Sequence, residues 1–351
     1  MRRFVHESLP ARVVFGAGAL AELPAEVERL DLRRALTLAT PQQQESAERT
    51  AALLGPRSAG VFTGAEMHTP TNVTDRAMQV VRERGVDGLV AVGGGSTTGL
   101  AKAIALRTDL PQVVAPTTYA GSEMTPILGE TKDGVKTTIR DRKVLPEVVI
   151  YDVDLTLTLP SALSATSGLN AIAHAMEALY ARDGDPIVSL MAEEGVRAFA
   201  LALPRIAIDA LDREARSDAL YGAWLCGSCL GAVGMALHHK LCHVLGGSFD
   251  LPHAETHAVI LPHAAAYNAP AAPEAMARLA GALDVADAPR GLWELAKRIG
   301  APLSLSQLGM KREDIGRAVD LALLNPYWNP RPIEREGVAH LIEAAWSGSP
   351  P

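Results

Sequence analysis

Cysteine is scarce in this 351-residue sequence, with three in all, which excludes a disulfide framework. Cys226-Gly-Ser-Cys229 has the spacing of a redox pair. It stands in an Ala-rich helical stretch rather than after a strand, so buried structural thiols are the expected reading. Cys242 differs only in lying between His239 and His243. Apolar runs long enough to cross a bilayer are missing. The basic residues Arg2 and Arg3 are not followed by the apolar core of a signal peptide, so a cytoplasmic protein is expected. Positive charge is not in excess either. A formal net charge of −7 argues against nucleic acid or an anionic membrane surface as the main partner. Internal repeats and low-complexity linkers are also absent from the sequence.

What is present is the composition of a folded globular protein, 48% hydrophobic and 21% charged, at a length that fits two domains. The first 150 or so residues alternate short apolar runs with amphipathic segments. Ala35–Ala39, Gly60–Phe62, Gly88–Val92 and Gln112–Ala115 read as strands, and the texture changes after Glu147–Tyr151. Asn72–Arg84 reads as a helix closed by Gly85, and Asp133-Gly134 as the turn of a hairpin. Strands alternating with helices imply right-handed βαβ units and a parallel sheet. From Pro160 onward Ala and Leu dominate with helical periodicity. The expected fold is an N-terminal Rossmann-like α/β domain, residues 1–156, followed by an all-α domain, residues 157–351.

Gly93-Gly94-Gly95-Ser96-Thr97-Thr98 directly follows a predicted strand and opens a helix that contains Lys102. Glycines there let the backbone approach a diphosphate, and a helix N-terminus offers unpaired N–H groups. The segment is neither a G-x-G-x-x-G fingerprint nor a P-loop. One glycine would suffice for a tight turn, so three glycines and three hydroxyl residues in a row favour phosphate binding. Pro116-Thr117-Thr118 ends the next strand, and adjacent strand ends converge in an open parallel sheet. Phe15-Gly16-Ala17-Gly18 is equally well explained as a plain turn.

Of ten histidines, six lie between His238 and His263. Asn170 and His174, and again His239 and His243, stand four residues apart, on one helix face. His253 follows the break at Pro252, and His257 comes one turn later. Such a cluster suits a metal or a proton-transfer site better than isolated core imidazoles. No carboxylate stands at the matching spacing before His174. Glu177, three residues beyond it, is either a substitute ligand or a solvated helix residue.

These segments resemble the iron-containing alcohol dehydrogenase family over nearly the whole chain, from Gly16 to Pro326. The resemblance implies that Gly93, Gly94, Gly95, Ser96 and Thr97 bind the diphosphate of NADH or NADPH, with Thr117 and Thr118 as a second cofactor segment. Lys136 matches a lysine that reaches the cofactor ribose. The family's metal ligands, an Asp and three His, fall on Asn170, His174, His239 and His253, and its histidine beside the nicotinamide falls on His243. An amide in place of the anionic ligand weakens a divalent site, so no metal is expected.

Gly93–Gly99 with Ala101-Lys102, Pro116–Ile127, and Ser167–His174 are more specifically similar to the maleylacetate reductase branch. That branch reduces the carbon–carbon double bond of maleylacetate to give 3-oxoadipate in aromatic-compound degradation. The resemblance implies His243, His253, His239 and His174 as catalytic residues, and Asn170, Tyr119 and His257 as substrate contacts. A cluster of imidazoles is expected to attract the small dicarboxylate. Thr40-Pro41-Gln42, after the strand Ala35–Ala39, carries no Asp where the alcohol dehydrogenases resembled here carry one, so NADPH is expected to be accepted as well as NADH. A homodimer is implied. The rival readings are a metal-dependent alcohol dehydrogenase, a lyase resembling dehydroquinate synthase, and an inactive cofactor-binding protein.

Overall fold

The computed structural model describes residues 4–9 and 11–351. The chain forms two compact units, Leu9–Leu159 and Pro160–Pro351, the second also taking the described residues before Leu9. The first is α/β with a parallel sheet and the second is all-helical, as the sequence predicts.

Six strands build the sheet of the first unit: β1 Arg12–Gly16, β2 Ala35–Leu38, β3 Ser58–Phe62, β4 Gly88–Gly93, β5 Gln112–Pro116 and, after a hairpin, β8 Val148–Asp152. Their order is β1-β8-β5-β4-β2-β3, and every pairing is parallel. All residues of β2, β4, β5 and β8 are buried, which is why these strands read as continuous apolar runs. Alternation along them sends Leu36, Leu38, Leu89 and Ala91 into a core shared with helices α3 Thr71–Glu83 and α4 Gly95–Thr108. Ala35, Val90, Val92 and Val113 go to the opposite face, against α1 Leu23–Arg29 and α2 Gln44–Leu54. The helices after β2 and β4 therefore leave on opposite faces, and the carboxyl ends of these neighbouring strands form a switch-point crevice.

Hairpin strands β6 Ile127–Lys132 and β7 Val135–Arg140 turn at Asp133 and Gly134, whose φ angles of 51° and 77° match the tight hairpin turn that Asp-Gly favours. Gly16-Ala17-Gly18 is a turn that Asp152 holds from the end of β8. Gly18 N and Leu20 N each donate to the Asp152 carboxylate at 2.9 Å.

The helical unit comprises α5 Ser161–Leu179, α6 Pro186–Ile208, α7 Arg213–Ala232, α8 Leu237–Phe249, α9 His253–Asn268, α10 Pro273–Leu283, α11 Ala288–Arg298, α12 Ile315–Leu323 and α13 Arg335–Ser347. From Ser164 to Ala178 every residue of α5 is buried, so this helix is the axis of the unit. Its neighbours α6 and α7 approach closely because glycines face each other. A Cβ on Gly195 would lie 2.7 Å from Cys226 Sγ, and one on Gly222 2.9 Å from Phe199 Cδ2. Cys226 and Cys229 are free and buried, and burial pushes the Cys229 thiol up to about 12, so both are structural thiols. Among the described residues no single helix is long and apolar enough to cross a membrane.

His263 in α9 is 3% exposed, its Nε2 has no partner, and burial pulls its imidazole down to about 4. Between that value and the ordinary 6.5, the unfolded chain binds a proton that the folded one refuses. The stability is present above pH 6.5 and is lost as the pH falls toward 4, by about 3 kcal/mol for this group alone. Urea midpoints measured from pH 7 to pH 4.5 are expected to fall less steeply for His263→Gln than for the wild type. Identical slopes would contradict a neutral buried His263.

Candidate active site

In the α/β unit the predicted phosphate segment sits at the switch point. Gly93 ends β4, and α4 begins at Gly95 with no side-chain cap and no acidic residue in its first turn. Its first N–H groups are thus left for a ligand, and the fractional charge of the helix end favours an anion. Gly95 is exposed and Gly94 and Ser96 half-buried, so the loop is open to an incoming group. Neighbouring segments crowd the two glycines. A Cβ on Gly93 would collide with Thr97 Oγ1 and lie 2.7 Å from Gln43 Oε1, and one on Gly94 would lie 2.9 Å from Thr118 Cγ2. Thr117 N donates to Gly93 O at 3.1 Å, and Gln43 Nε2 donates to Thr117 Oγ1 at 3.0 Å. The ends of β2, β4 and β5 are therefore laced together around the glycine loop. Thr97 Oγ1 is buried without a partner. This cradle fits the diphosphate of a dinucleotide.

Behind it, Lys102 of α4 is fully buried, and its ammonium reaches Ser122 O at 2.5 Å, Thr125 O at 2.7 Å, and Thr125 Oγ1 and Ile127 O at 2.9 Å. Burial pulls the ammonium down to about 7, with the neighbouring Glu123 carboxylate opposing. Glu123 in turn accepts from Tyr151 Oη at 2.9 Å. This buried network pins the segment that follows Thr117 and Thr118. Tyr119 is fully buried and Thr118 half-buried. Lys136 is exposed on β7, with its stem crossing Gly129, where an added Cβ would sit 3.2 Å from Lys136 Cε.

In the helical unit α5, α8 and α9 bring most of the predicted histidines together. The ring centroids of His174 and His239 are 5.1 Å apart, those of His239 and His257 5.0 Å, and those of His253 and His257 4.4 Å. His243 lies at the exposed edge, 6.2 Å from the His239 ring, with Nδ1 3.1 Å from Tyr327 Oη. Asn170 is one turn before His174 on α5, and its Oδ1 is buried without a partner. His238, which the spacing argument passed over, is fully buried, with Nε2 3.0 Å from His257 Nδ1.

Glu177 corrects one reading drawn from the sequence, since it is not a solvated residue. Fully buried, it accepts from Ala236 N at 2.6 Å and His238 N at 2.7 Å, and pairs with His239 Nδ1 at 2.8 Å. One carboxylate from α5 thus caps α8 and orients its key histidine. Because Nδ1 faces the carboxylate, that nitrogen carries the hydrogen, and His239 Nε2, buried and unpartnered, is directed elsewhere.

Burial first, and the neighbouring imidazoles second, hold His174, His238 and His257 well below the ordinary histidine value, so these three are neutral near pH 7. Nor do the residues present fit a divalent cation at the expected position. Asn170 supplies no charge, and the Glu177 oxygens are engaged. The one described trio of His, Cys or carboxylate side chains with ligand atoms within 4.8 Å is His238, Cys242 and His257, not His174, His239 and His253.

A model for iron-containing alcohol dehydrogenase matches residues 10–153, and one for the C-terminal part of the Fe-containing alcohol dehydrogenase family matches residues 164–346. The chain belongs to the iron-containing alcohol dehydrogenase family. It is an oxidoreductase. A maleylacetate reductase from Rhizobium sp. is 58% identical over all of both chains. The crystal structure of a maleylacetate reductase from Agrobacterium tumefaciens matches with TM-score 0.98 at 58% identity, again over all of both chains. A Ralstonia eutropha protein described provisionally as an alcohol dehydrogenase matches with TM-score 0.99 at 59% identity over all of both chains.

Within this family fold, sequence reasoning missed Gln43, Glu177 as a cap, His238 and Tyr327. Tyr327 directly follows Pro326, where the family resemblance ends. Glu177→Ala is expected to strand two backbone N–H groups and the His239 Nδ1–H, each worth about 1–3 kcal/mol when left buried and unpaired. The urea midpoint should fall and turnover should drop at least tenfold as His239 loses its orientation. Unchanged stability and turnover would contradict this role.

Proposed function

We propose that this chain reduces the carbon–carbon double bond of maleylacetate to give 3-oxoadipate, with NADH or NADPH as reductant and without a resident metal. Relatives bearing the maleylacetate reductase name at 50–58% identity over their full lengths support the substrate. The observation that carries the metal-free reading is the Glu177 contact set. That carboxylate is engaged by Ala236, His238 and His239, and the neutral amide of Asn170 stands where the family resemblance implies an anionic ligand.

Such a pocket suits this substrate. When bound at the glycine loop, the nicotinamide cofactor supplies a hydride. The alkene is conjugated to a ketone, so hydride addition at the far alkene carbon moves an electron pair onto the ketone oxygen. The resulting enolate needs hydrogen-bond donors and then a proton on carbon, not a Lewis acid. Asn170 presents amide N–H groups where an aspartate would repel a dicarboxylate. His239 is held by Glu177, and a proton at its Nε2 is balanced by that carboxylate. His253 and the exposed-edge His243 complete the donor set, while neutral His174 packs against His239. The sum is one hydride and one proton added across the double bond.

The absence of an acidic residue in Thr40-Pro41-Gln42 leaves room for a 2′-phosphate, so both nicotinamide cofactors are substrates. The protein acts as a cytoplasmic homodimer in this reading. Reduced-nicotinamide absorbance is expected to fall with maleylacetate and to stay flat with simple aldehydes. Turnover of aldehydes but not of maleylacetate would overturn the proposal in favour of an alcohol dehydrogenase. Absence of net oxidation with any of them would favour a lyase or an inactive binding protein.

A further inference from the structure

Two buried histidines form a pair that the reaction scheme above does not use. His238 Nε2 lies 3.0 Å from His257 Nδ1 and 3.7 Å from Cys242 Sγ, and all three side chains are buried. His238 Nδ1 and His257 Nε2 have no partner. A 3.0 Å contact between two ring nitrogens holds one hydrogen, and its owner decides what each ring presents on its far side. If His257 owned it, the unmatched N–H would sit at His238 Nδ1. If His238 owns it, the unmatched N–H sits at His257 Nε2, on a ring whose centroid is 4.4 Å from that of His253 and 5.0 Å from that of His239. His238 Nε2 also faces two neighbours. A single lone pair there could satisfy one donor, whereas an N–H can point at His257 Nδ1 with the thiol sulfur beside it as a weak second acceptor.

We propose that His238 is a positioning residue that donates to His257 Nδ1 and so fixes His257 as an Nε2–H donor toward an oxygen anion of the substrate. A buried N–H without an acceptor is the rarer and costlier orphan, and a carboxylate or enolate oxygen would satisfy it. His257 then binds the substrate oxygen through that N–H. The identity of that anion rests on the maleylacetate reading; the tautomer does not.

The test has two arms. Nitrogen NMR of the full-length protein labelled with 15N-histidine, with His257 assigned by its loss in His257→Asn, reports which ring nitrogen carries hydrogen. Hydrogen on His257 Nε2 and on His238 Nε2 is expected, and hydrogen on His257 Nδ1 would overturn the proposal even if every variant proved unstable. In the second arm, His238→Gln, whose amide can still donate to His257, is expected to keep the wild-type KM for maleylacetate. His238→Leu is expected to raise it about tenfold while leaving the KM for NADH unchanged. Equal KM for maleylacetate in the two variants, or parallel increases for substrate and cofactor, would contradict the positioning role. A wild type that fails to turn over maleylacetate but shows the expected tautomer would remove the substrate assignment and leave the His238–His257 arrangement standing.

Discussion

The helical half of this protein depends on one buried carboxylate. Glu177 projects from α5 into the start of α8 and accepts two backbone N–H groups and one imidazole. A helix beginning inside a protein leaves its first donors unsatisfied, and a carboxylate is a strong partner for them. By filling that role Glu177 also sets the direction of His239. Structural and chemical demands are thus met by the same two oxygens. A charge on α5 does not by itself make a metal site. What matters is whether its lone pairs remain free.

Asn170, two turns earlier on the same helix, completes the argument. Where the family resemblance implies an anionic ligand, this chain has an amide, and its Oδ1 is buried and unpartnered. Burial keeps His174, His238 and His257 neutral. The pocket is therefore a set of oriented, mostly uncharged hydrogen-bonding groups. A conjugated enone needs just that, because the charge produced by hydride addition falls on an oxygen that a donor can hold.

Much of the fold was legible because local chemistry dictated it. β4 and β5 are apolar runs buried on both faces, and Asp133-Gly134 needs no long-range help to turn a hairpin. The short edge strand β1 was passed over, since its five residues, only partly buried, offer little pattern. The tight turn from β4 into α4 was legible as well, because Gly93 and Gly94 stand directly before that helix. Long-range partnership was not. Glu177 meets Ala236 and His239 across 59 and 62 residues, and the sequence around it shows only an ordinary helix. Lys102 hides for another reason, since three of its four oxygen contacts are backbone carbonyls, which no side-chain pattern records.

The central claim is that the pocket works as a neutral hydrogen-bonding site rather than around a cation. Its most direct test is elemental analysis of the purified protein before and after chelator treatment, with maleylacetate turnover measured on the same samples. Full turnover with far less than one metal ion per chain is predicted. Stoichiometric iron or zinc, with activity lost on chelation and restored by the metal, would contradict it.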